Sequence, residues 1–450
     1  MALAVVIVLL VVGSLIFHFV SPWYFTPLAS NWSSVDTTVD ITFIVCGIVF
    51  VAVNLFTAYC LIRFRHRKNH QAHYEPESKK LEGGLTAFTA LGVAAMLTPG
   101  LFVWGEFVTV PDDAMVVEAF GKQWHWSFRF PGDDGVLGRT DVRHMSVDNP
   151  LGLDPDDPAG RDDRLVLAPT LHLPVERPIH MLLRSADVLH NFTVPQFRTK
   201  MDLVPGMVTF QWFTPTVAGS YELLCEELCG LAHFAMRGRV IVDEEADFDA
   251  WLAALPTYAE TAAAPQGNAE AGAATYAVCS ACHGAQGEGN PTLNAPKIAG
   301  QEPWYLKRQI RAFQQRIRGA DERDVFGMQM APMATTLATE QILADVAAYI
   351  ETLPDEDPEQ TVFGDPVRGR EIYTTCAGCH GRDGQGNWST NAPRLAGMSD
   401  WYLLRQLEYF RDGVRGAHPD DLYGMQMAMM AASLRDERAL QDVVAYINSL

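Results

Sequence analysis

The sequence predicts a multidomain protein in which an α-helical transmembrane anchor is followed by a β-sandwich and two small all-α domains. Three observations support this fold class. Long apolar segments lie within the first 110 residues, short β-branched and aromatic segments separated by turn residues follow them, and a C-terminal pattern occurs twice. The chain has 450 residues, which is too long for one ordinary hydrophobic core.

Composition divides the chain into five predicted segments. They are the anchor (1–110), the β-sandwich domain (111–254), a linker rich in Ala, Pro and Gly (255–273), the first all-α domain (274–356) and the second all-α domain (357–450).

The anchor contains apolar segments at residues 2–20, 41–62 and 85–108, each long enough to cross a bilayer. Six basic residues separate the second segment from the third: Arg63, Arg65, Arg67, Lys68, Lys79 and Lys80. The positive-inside rule places this loop in the cytoplasm, so everything after residue 108 is predicted on the periplasmic side. The first segment lacks the basic start and cleavage site of a signal peptide, which favours a retained helix.

The net charge limits the kinds of macromolecule that can bind this chain. The net charge is −20, and the soluble part has no basic stripe, which excludes nucleic acid as a partner. A cationic protein partner is compatible with this charge, although acidity can equally serve solubility alone.

The predicted β-sandwich carries a compact group of soft metal ligands. Cys225, Cys229, His233 and Met236 lie within twelve residues, and His190 lies upstream. Thiolate, imidazole and thioether groups suit copper, whereas two cysteines and two histidines also suit zinc. The added methionine and the four-residue cysteine spacing favour copper.

The segment 225–236 resembles the binuclear copper (Cu-A) motif of cytochrome c oxidase subunit II, and residues 200–206 (KMDLVPG) resemble the same family between the ligands. The likeness covers roughly residues 35–245 and implies a cupredoxin-like β-sandwich. The resemblance implies six copper ligands. Cys225 and Cys229 would provide bridging thiolates, and His190 and His233 terminal imidazoles. Met236 would provide an axial thioether and Glu227 its backbone carbonyl.

Three residues take further roles from this resemblance. The side chain of Glu227 would also reach a magnesium ion shared with subunit I. Trp124, in the aromatic segment 123–128, would receive electrons; it precedes His125, where the family usually has tyrosine. Glu82 would gather protons at the mouth of a channel in subunit I. The alternatives are a buried strand aromatic for Trp124 and a solvated helix start for Glu82.

The C-terminal part is a duplication. Trp304-Tyr305 and Gln309 recur as Trp401-Tyr402 and Gln406, each 97 residues later, and a constant offset without insertion indicates a repeated module. Each copy contains a CxxCH sequence: Cys279, Cys282 and His283 in the first, and Cys376, Cys379 and His380 in the second. Such sequences attach haem c through two thioethers and provide the proximal histidine.

The sixth iron ligand is predicted to be methionine. Residues 339–352 and 436–449 are amphipathic and predict the last helix of each module. The modules resemble the cytochrome c4 class, whose ligand lies about two turns before that helix. This position favours Met330 and Met427 over Met333 and Met430, and Met/His ligation raises the haem potential.

These resemblances together imply subunit II of a proton-pumping, caa3-like oxidase in a bacterial inner membrane. Electrons would pass from a periplasmic donor, such as a cytochrome c or a cytochrome bc1-type complex, through both haems to Cu-A. They would continue to subunit I, with subunit III as a further neighbour, and the chain would act as an oxidoreductase and translocase only with subunit I.

Two other functions fit the same residues. One is the copper subunit of a Cu-A nitric oxide reductase, because the partner subunit decides the substrate. The other is a membrane-tethered electron carrier without a dedicated oxidase. A quinol-oxidase subunit II is disfavoured, because that branch lacks the copper ligands present here.

Overall fold

The computed structural model of the chain describes residues 1–21, 26–68, 71, 74 and 76–450. Its N-terminal part consists of three helices, α1 (Ala2–Val20), α2 (Ser33–Arg63) and α3 (Lys79–Phe107). All three are long and apolar enough to cross a membrane. Most of their large apolar side chains are exposed, Phe88 by 77%, which in water would be costly and in lipid is favourable.

The second and third helices are longer than the apolar segments at 41–62 and 85–108. Each begins several residues earlier, with Asp36 in the first turn of α2 and Glu82 in the first turn of α3. Carboxylates are favourable at helix N-termini, so these polar turns extend the helices beyond their apolar parts.

The middle of the chain forms the predicted β-sandwich. Its ten strands are β1 (Met115–Lys122), β2 (His125–Phe130), β3 (Arg164–Val166), β4 (Thr170–Pro174), β5 (Ile179–Ser185), β6 (His190–Thr193), β7 (Lys200–Leu203), β8 (Thr209–Phe213), β9 (Gly219–Leu224) and β10 (Arg237–Asp243). They form two five-stranded sheets, in the orders β3-β2-β1-β5-β8 and β4-β10-β9-β6-β7. Among the short β-branched and aromatic segments, 116–120, 179–183 and 238–242 lie within β1, β5 and β10.

The inner faces of the two sheets share one apolar core. Trp126 and Phe128 of the first sheet, and Leu171 and Phe192 of the second, are fully buried within it. Trp126 contacts Phe192 edge to face, with ring centroids 5.9 Å apart. Burying each such side chain contributes roughly 1.5–3 kcal/mol, so this core makes a rigid frame for the loops at its edge.

Two tryptophans connect the helical anchor to the sandwich. Trp32, at the start of α2, donates its indole N–H to Trp212 O at 3.0 Å, and Trp212 donates to Glu106 O near the end of α3, also at 3.0 Å. Asp36 forms an ion pair with Arg198 of the sandwich. The sandwich therefore rests directly on the periplasmic ends predicted for α2 and α3.

The predicted linker at 255–273 is partly a folded element. Helices α4 (Glu245–Ala254) and α5 (Tyr258–Ala262) follow β10, and Tyr258 is buried against Phe120 and Leu165 of the sandwich. The next helix, which ends in the first CxxCH motif, already begins at Ala269. Alanine and proline composition suggested a loop, whereas a capping box at Thr257 and burial of one tyrosine stabilise a short helix.

Two four-helix modules complete the chain. The first contains α6 (Ala269–His283), α7 (Pro303–Gln314), α8 (Val325–Ala334) and α9 (Glu340–Glu351). The second contains α10 (Pro366–His380), α11 (Asp400–Arg411), α12 (Leu422–Ala431) and α13 (Glu437–Ile447). The predicted last helices are confirmed as α9 and α13, with Thr339 and Asp436 as their N-caps.

Candidate copper and haem sites

The sandwich brings the predicted copper ligands together at one edge. Cys225 follows β9, Cys229 lies in the next loop, and His190 begins the neighbouring strand β6. Ligand atoms of these three buried residues all lie within 4.8 Å of one another. The two Sγ atoms are 3.7 Å apart, and Cys225 Sγ is 4.0 Å from His190 Nδ1.

The remaining predicted ligands surround the same thiols. Cys229 Sγ lies 3.5 Å from His233 Nδ1 and 3.8 Å from Met236 Sδ. The carbonyl oxygen of Glu227 lies 3.2 Å from Cys225 Sγ. A backbone hydrogen bond from Cys225 N to Met236 O closes the loop, so all its ligands are held by one short segment.

Asp187 orients the distant histidine. His190 Nε2 lies 2.8 Å from Asp187 Oδ1, which leaves Nδ1 facing the cysteines. Asp187 also accepts a hydrogen bond from Gln123 N at 2.7 Å. A carboxylate behind a histidine is the usual outer partner of a metal ligand, because it selects the tautomer and the ring orientation.

One hydrogen bond joins the two thiols and moves their pKa values in opposite directions. The hydrogen bond from Cys229 lowers the pKa of Cys225 to about 4, and the same contact raises the pKa of Cys229. Metal ligands must be deprotonated, and a bound cation takes the place of the proton in this hydrogen bond. The soft donor set and its spacing therefore fit copper.

Trp124 lies between the copper loop and the second module. Its indole N–H donates to Cys229 O at 3.2 Å, and it is 5% exposed. On its other side, Gln426 of α12 donates a hydrogen bond to Trp124 O at 2.6 Å. The surface around Trp124 is thus covered by this chain's own second module.

His125, the predicted departure from the family, faces the same module. Its ring stacks on Tyr423, with centroids 5.1 Å apart, and its Nε2 lies 3.3 Å from Tyr423 Oη and 3.0 Å from Leu167 O. Burial lowers the pKa of His125 to about 3, so the ring is neutral in this interface. The sequence showed the unusual residue but could not show its partner.

Both CxxCH motifs end a helix in the same geometry. His283 Nδ1 donates to Pro296 O and His380 Nδ1 donates to Pro393 O, each at 2.8 Å. This hydrogen bond leaves Nε2 of each ring available as a ligand. The following Gly284 has a φ of 84°, a value that side chains rarely adopt, and it turns the chain away from the helix.

A cavity of about 600 Å³ is lined by both motifs and by Trp124. It also contains the four candidate methionines, Met330, Met333, Met427 and Met430. Met333 is 44% exposed, and Met430 packs against the core of the sandwich. Met330 and Met427 are both half-buried beside the same cavity.

Two buried arginines line this cavity without forming an ion pair among the described residues. Arg318 and Arg415 are 7% and 8% exposed, and among the described residues neither forms an ion pair and neither Nε has a hydrogen-bond partner. Their other nitrogens reach only neutral groups, such as Gln309 and Gln406. A nearby anion stabilises a buried guanidinium, and the carboxylates of haem would supply one, so the residues present fit haem.

Sequence reasoning missed these arginines, although the repeat contains a signal for them. They lie 97 residues apart, at the same offset as the haem motifs.

Glu82 lies in the first turn of α3, where Ser78 N donates to its carboxylate at 3.4 Å. In the described residues it contacts none of the copper or haem candidates.

Comparisons with known proteins agree with this arrangement. The family model described as cytochrome c oxidase subunit II, periplasmic domain, matches residues 115–244, and the cytochrome c model matches 269–354 and 366–450. The alternative cytochrome c oxidase subunit 2 of Bradyrhizobium diazoefficiens is 55% identical over 259 residues, which are 58% of this chain and 94% of that protein.

The C-terminal modules have relatives of their own. Cytochrome c4 of Azotobacter vinelandii is 34% identical over 195 residues, 41% of this chain and 90% of that protein. The crystal structure of reduced cytochrome c4 from Pseudomonas stutzeri is 30% identical, covers 41% of this chain and 99% of that one, and has a TM-score of 0.33. The chain belongs to the cytochrome c oxidase subunit II family and carries two additional cytochrome c domains.

Proposed function

We propose that this chain is the electron-accepting subunit of a proton-pumping haem-copper oxidase. Electrons pass from a periplasmic donor through the first and then the second cytochrome domain to the copper domain, and on to subunit I, where oxygen is reduced to water. The main observation behind this proposal is that the second cytochrome domain covers Trp124, which is hydrogen-bonded to the copper loop.

The proposed copper ligands are those that the sandwich gathers at its edge: Cys225, Cys229, His190, His233, Met236 and the Glu227 carbonyl. When bound, the copper pair and the haems supply one-electron transfer without making or breaking bonds. The protein's part is to hold the ligands rigidly. The buried core behind β6 and β9 and the carboxylate of Asp187 both support this.

The proposed haem sites follow the duplication. Cys279, Cys282, His283 and Met330 hold the first haem, and Cys376, Cys379, His380 and Met427 hold the second. Arg318 and Arg415 neutralise the haem carboxylates, and the carbonyls of Pro296 and Pro393 orient the proximal rings.

The order of the two domains follows from exposure. Cys282, in the first attachment motif, is exposed, whereas Cys379 packs against the core of the sandwich. An external redox protein reaches the first motif freely, while the second is covered. We therefore assign the first domain to receive electrons and the second to deliver them.

The anchor supports a multi-pass position in a bacterial inner membrane. The described helices present apolar surface for lipid and for neighbouring subunits I and III. Glu82 at the start of α3 is proposed to gather protons for subunit I, and the half-exposed side chain of Glu227 is proposed to bind magnesium at the contact with it.

The test is isolation of the tagged full-length chain from its native membrane. We expect a haem-copper subunit I to co-purify and the complex to consume oxygen. Cys229→Ser should remove the mixed-valence copper signal from the electron paramagnetic resonance spectrum, stop oxygen consumption and spare both c-haem spectra.

Two outcomes would contradict the proposal. Reduction of nitric oxide without oxygen consumption would make the complex a nitric oxide reductase. Isolation of a chain that transfers electrons but carries no catalytic partner would make it a tethered carrier.

A further inference from the structure

The two haem-attachment motifs differ at one position that touches the copper domain. The second motif has Gly378 between its cysteines, where the first has Ala281. A Cβ atom at Gly378 would lie 3.3 Å from Leu231 Cδ2 and 3.9 Å from Trp124 Cη2. The backbone of the second attachment motif therefore lies directly on the copper domain at this residue.

Both neighbours of Gly378 belong to the copper site's own support. Trp124 donates its indole N–H to Cys229 O at 3.2 Å. Leu231 lies in the copper loop between Cys229 and His233. Gly378 thus faces these two side chains of the copper domain, while the glycine itself stays partly open to solvent.

A side chain at this position would press on Leu231, whose own side chain is 47% exposed. A distance of 3.3 Å is tighter than an ordinary contact between carbon atoms, which is most favourable near 3.5–4.0 Å. Alanine would need a small displacement of Leu231. A branched side chain such as leucine would need a much larger one, because Trp124 is held by hydrogen bonds on both sides.

The matching position of the first module is exposed, as Gly378 is, but it carries a side chain. Ala281 and Cys282 are both exposed, and Val278, one turn earlier, is 52% exposed. Thr375 of the second module, which corresponds to Val278, is half-buried. The motif chemistry does not require glycine between the cysteines, since the first copy does without it.

We propose that Gly378 is a positioning residue that sets how closely the second cytochrome domain approaches the copper domain, and thereby the rate of electron transfer between them. This rests on the proposed function. In the step, one electron leaves the second cytochrome domain, which is oxidised, and enters the copper domain, which is reduced; no bond changes and no proton moves. The electron is replaced by a reduced periplasmic redox protein through the first domain.

The experiment uses the full-length chain loaded with copper and haem. Gly378→Ala and Gly378→Leu are compared with the parent and with Ala281→Leu, which adds the same side chain at the matching position of the first motif. The rate of transfer into the copper domain is followed by absorption after rapid photoreduction, and hydrogen exchange is measured for residues 229–233. Haem content and reduction potentials are recorded for every variant.

We expect Gly378→Leu to slow transfer severalfold and to increase exchange in 229–233, and Gly378→Ala to have a smaller effect in the same direction. Ala281→Leu should match the parent in both measurements. All variants should keep both haems and their potentials, because no ligand changes.

Three results distinguish the ideas. An unchanged rate and unchanged exchange in Gly378→Leu would overturn the role of Gly378. An equal slowing in Ala281→Leu would also overturn it, because the cause would then be a substituted motif and not the contact. A parent chain that fails to pass electrons into the copper domain would refute the proposed function itself.

Discussion

The two cytochrome modules share one fold and differ in what covers their haem-attachment motifs. The first presents Ala281, Pro291 and Phe326 at positions where the second has Gly378, Trp388 and Tyr423. All three residues of the second module contact the copper domain. Gly378 faces Leu231 and Trp124, the ring of Trp388 lies 5.0 Å from Lys122 Nζ, and Tyr423 stacks on His125.

This difference shows how two copies of one module come to have different neighbours. Helices, proximal histidines and buried arginines are repeated, so each module alone could bind haem in the same way. A few substitutions on one face decide which copy docks on copper. The other copy leaves Ala281 and Cys282 exposed.

The largest effect that separates the modules should come from the proximal histidines. We expect His380→Ala to abolish the low-spin signal of one haem and all transfer into the copper domain, because the covered module loses its iron ligand. His283→Ala should abolish the low-spin signal of the other haem and block reduction by an external donor. Low-spin signals in electron paramagnetic resonance measure both effects.

Copper should be retained in both histidine variants, since no copper ligand changes. Loss of both haems from either single substitution would contradict the independence of the modules.

The axial methionines should give the next largest effect. Met330→Leu and Met427→Leu should each remove the sulfur-to-iron absorption of one haem and lower its potential, because a thioether ligand favours the reduced state. Met333→Leu and Met430→Leu are the matched controls and should change packing only. Absorption spectroscopy and redox titration decide the choice, and loss of the band in a control variant would reverse our assignment.

The buried arginines should have a smaller, electrostatic effect. Arg318→Gln or Arg415→Gln removes a positive charge that favours the reduced haem, so the potential of a neighbouring haem should fall by on the order of 50 mV, about 1 kcal/mol of screened charge interaction. Redox titration measures this shift.

Arg323→Gln is the control for that titration. Its guanidinium is mostly exposed and pairs with Asp321, so its removal should leave both potentials unchanged. Equal shifts in control and test variants would show that the buried arginines have no special role.

The smallest effect should come from making the second module resemble the first. Tyr423→Phe introduces the residue found at the matching position of the first module, Phe326. It removes the contact between Tyr423 Oη and His125 Nε2. A typical hydrogen bond contributes about 0.5–1.5 kcal/mol, so docking should weaken slightly and hydrogen exchange at residues 123–126 should increase. The reverse change, Phe326→Tyr, should leave exchange at 123–126 as it is in the parent.

Several features could be read from local spacing. The CxxCH motifs, the 97-residue offset, the soft ligands within 225–236 and the three apolar segments are each contained in short stretches of chain. Covalent motifs and helical or strand periodicity depend on neighbouring residues, so no tertiary contact is needed to recognise them. Only the linker at 255–273 was misjudged in part, because burial of Tyr258 by distant strands stabilises α5.

The tertiary structure decided everything that joins distant segments. His190 reaches Cys225 across 35 residues because β6 pairs beside β9, and Trp124 reaches Gln426 across 302 residues because the second module docks on the first sheet. Such contacts depend on strand pairing and on shape at an interface, which residue spacing does not encode. The copper and haem motifs were therefore recognisable in the sequence, whereas the tertiary structure decided which of two nearly equal modules packs against Trp124.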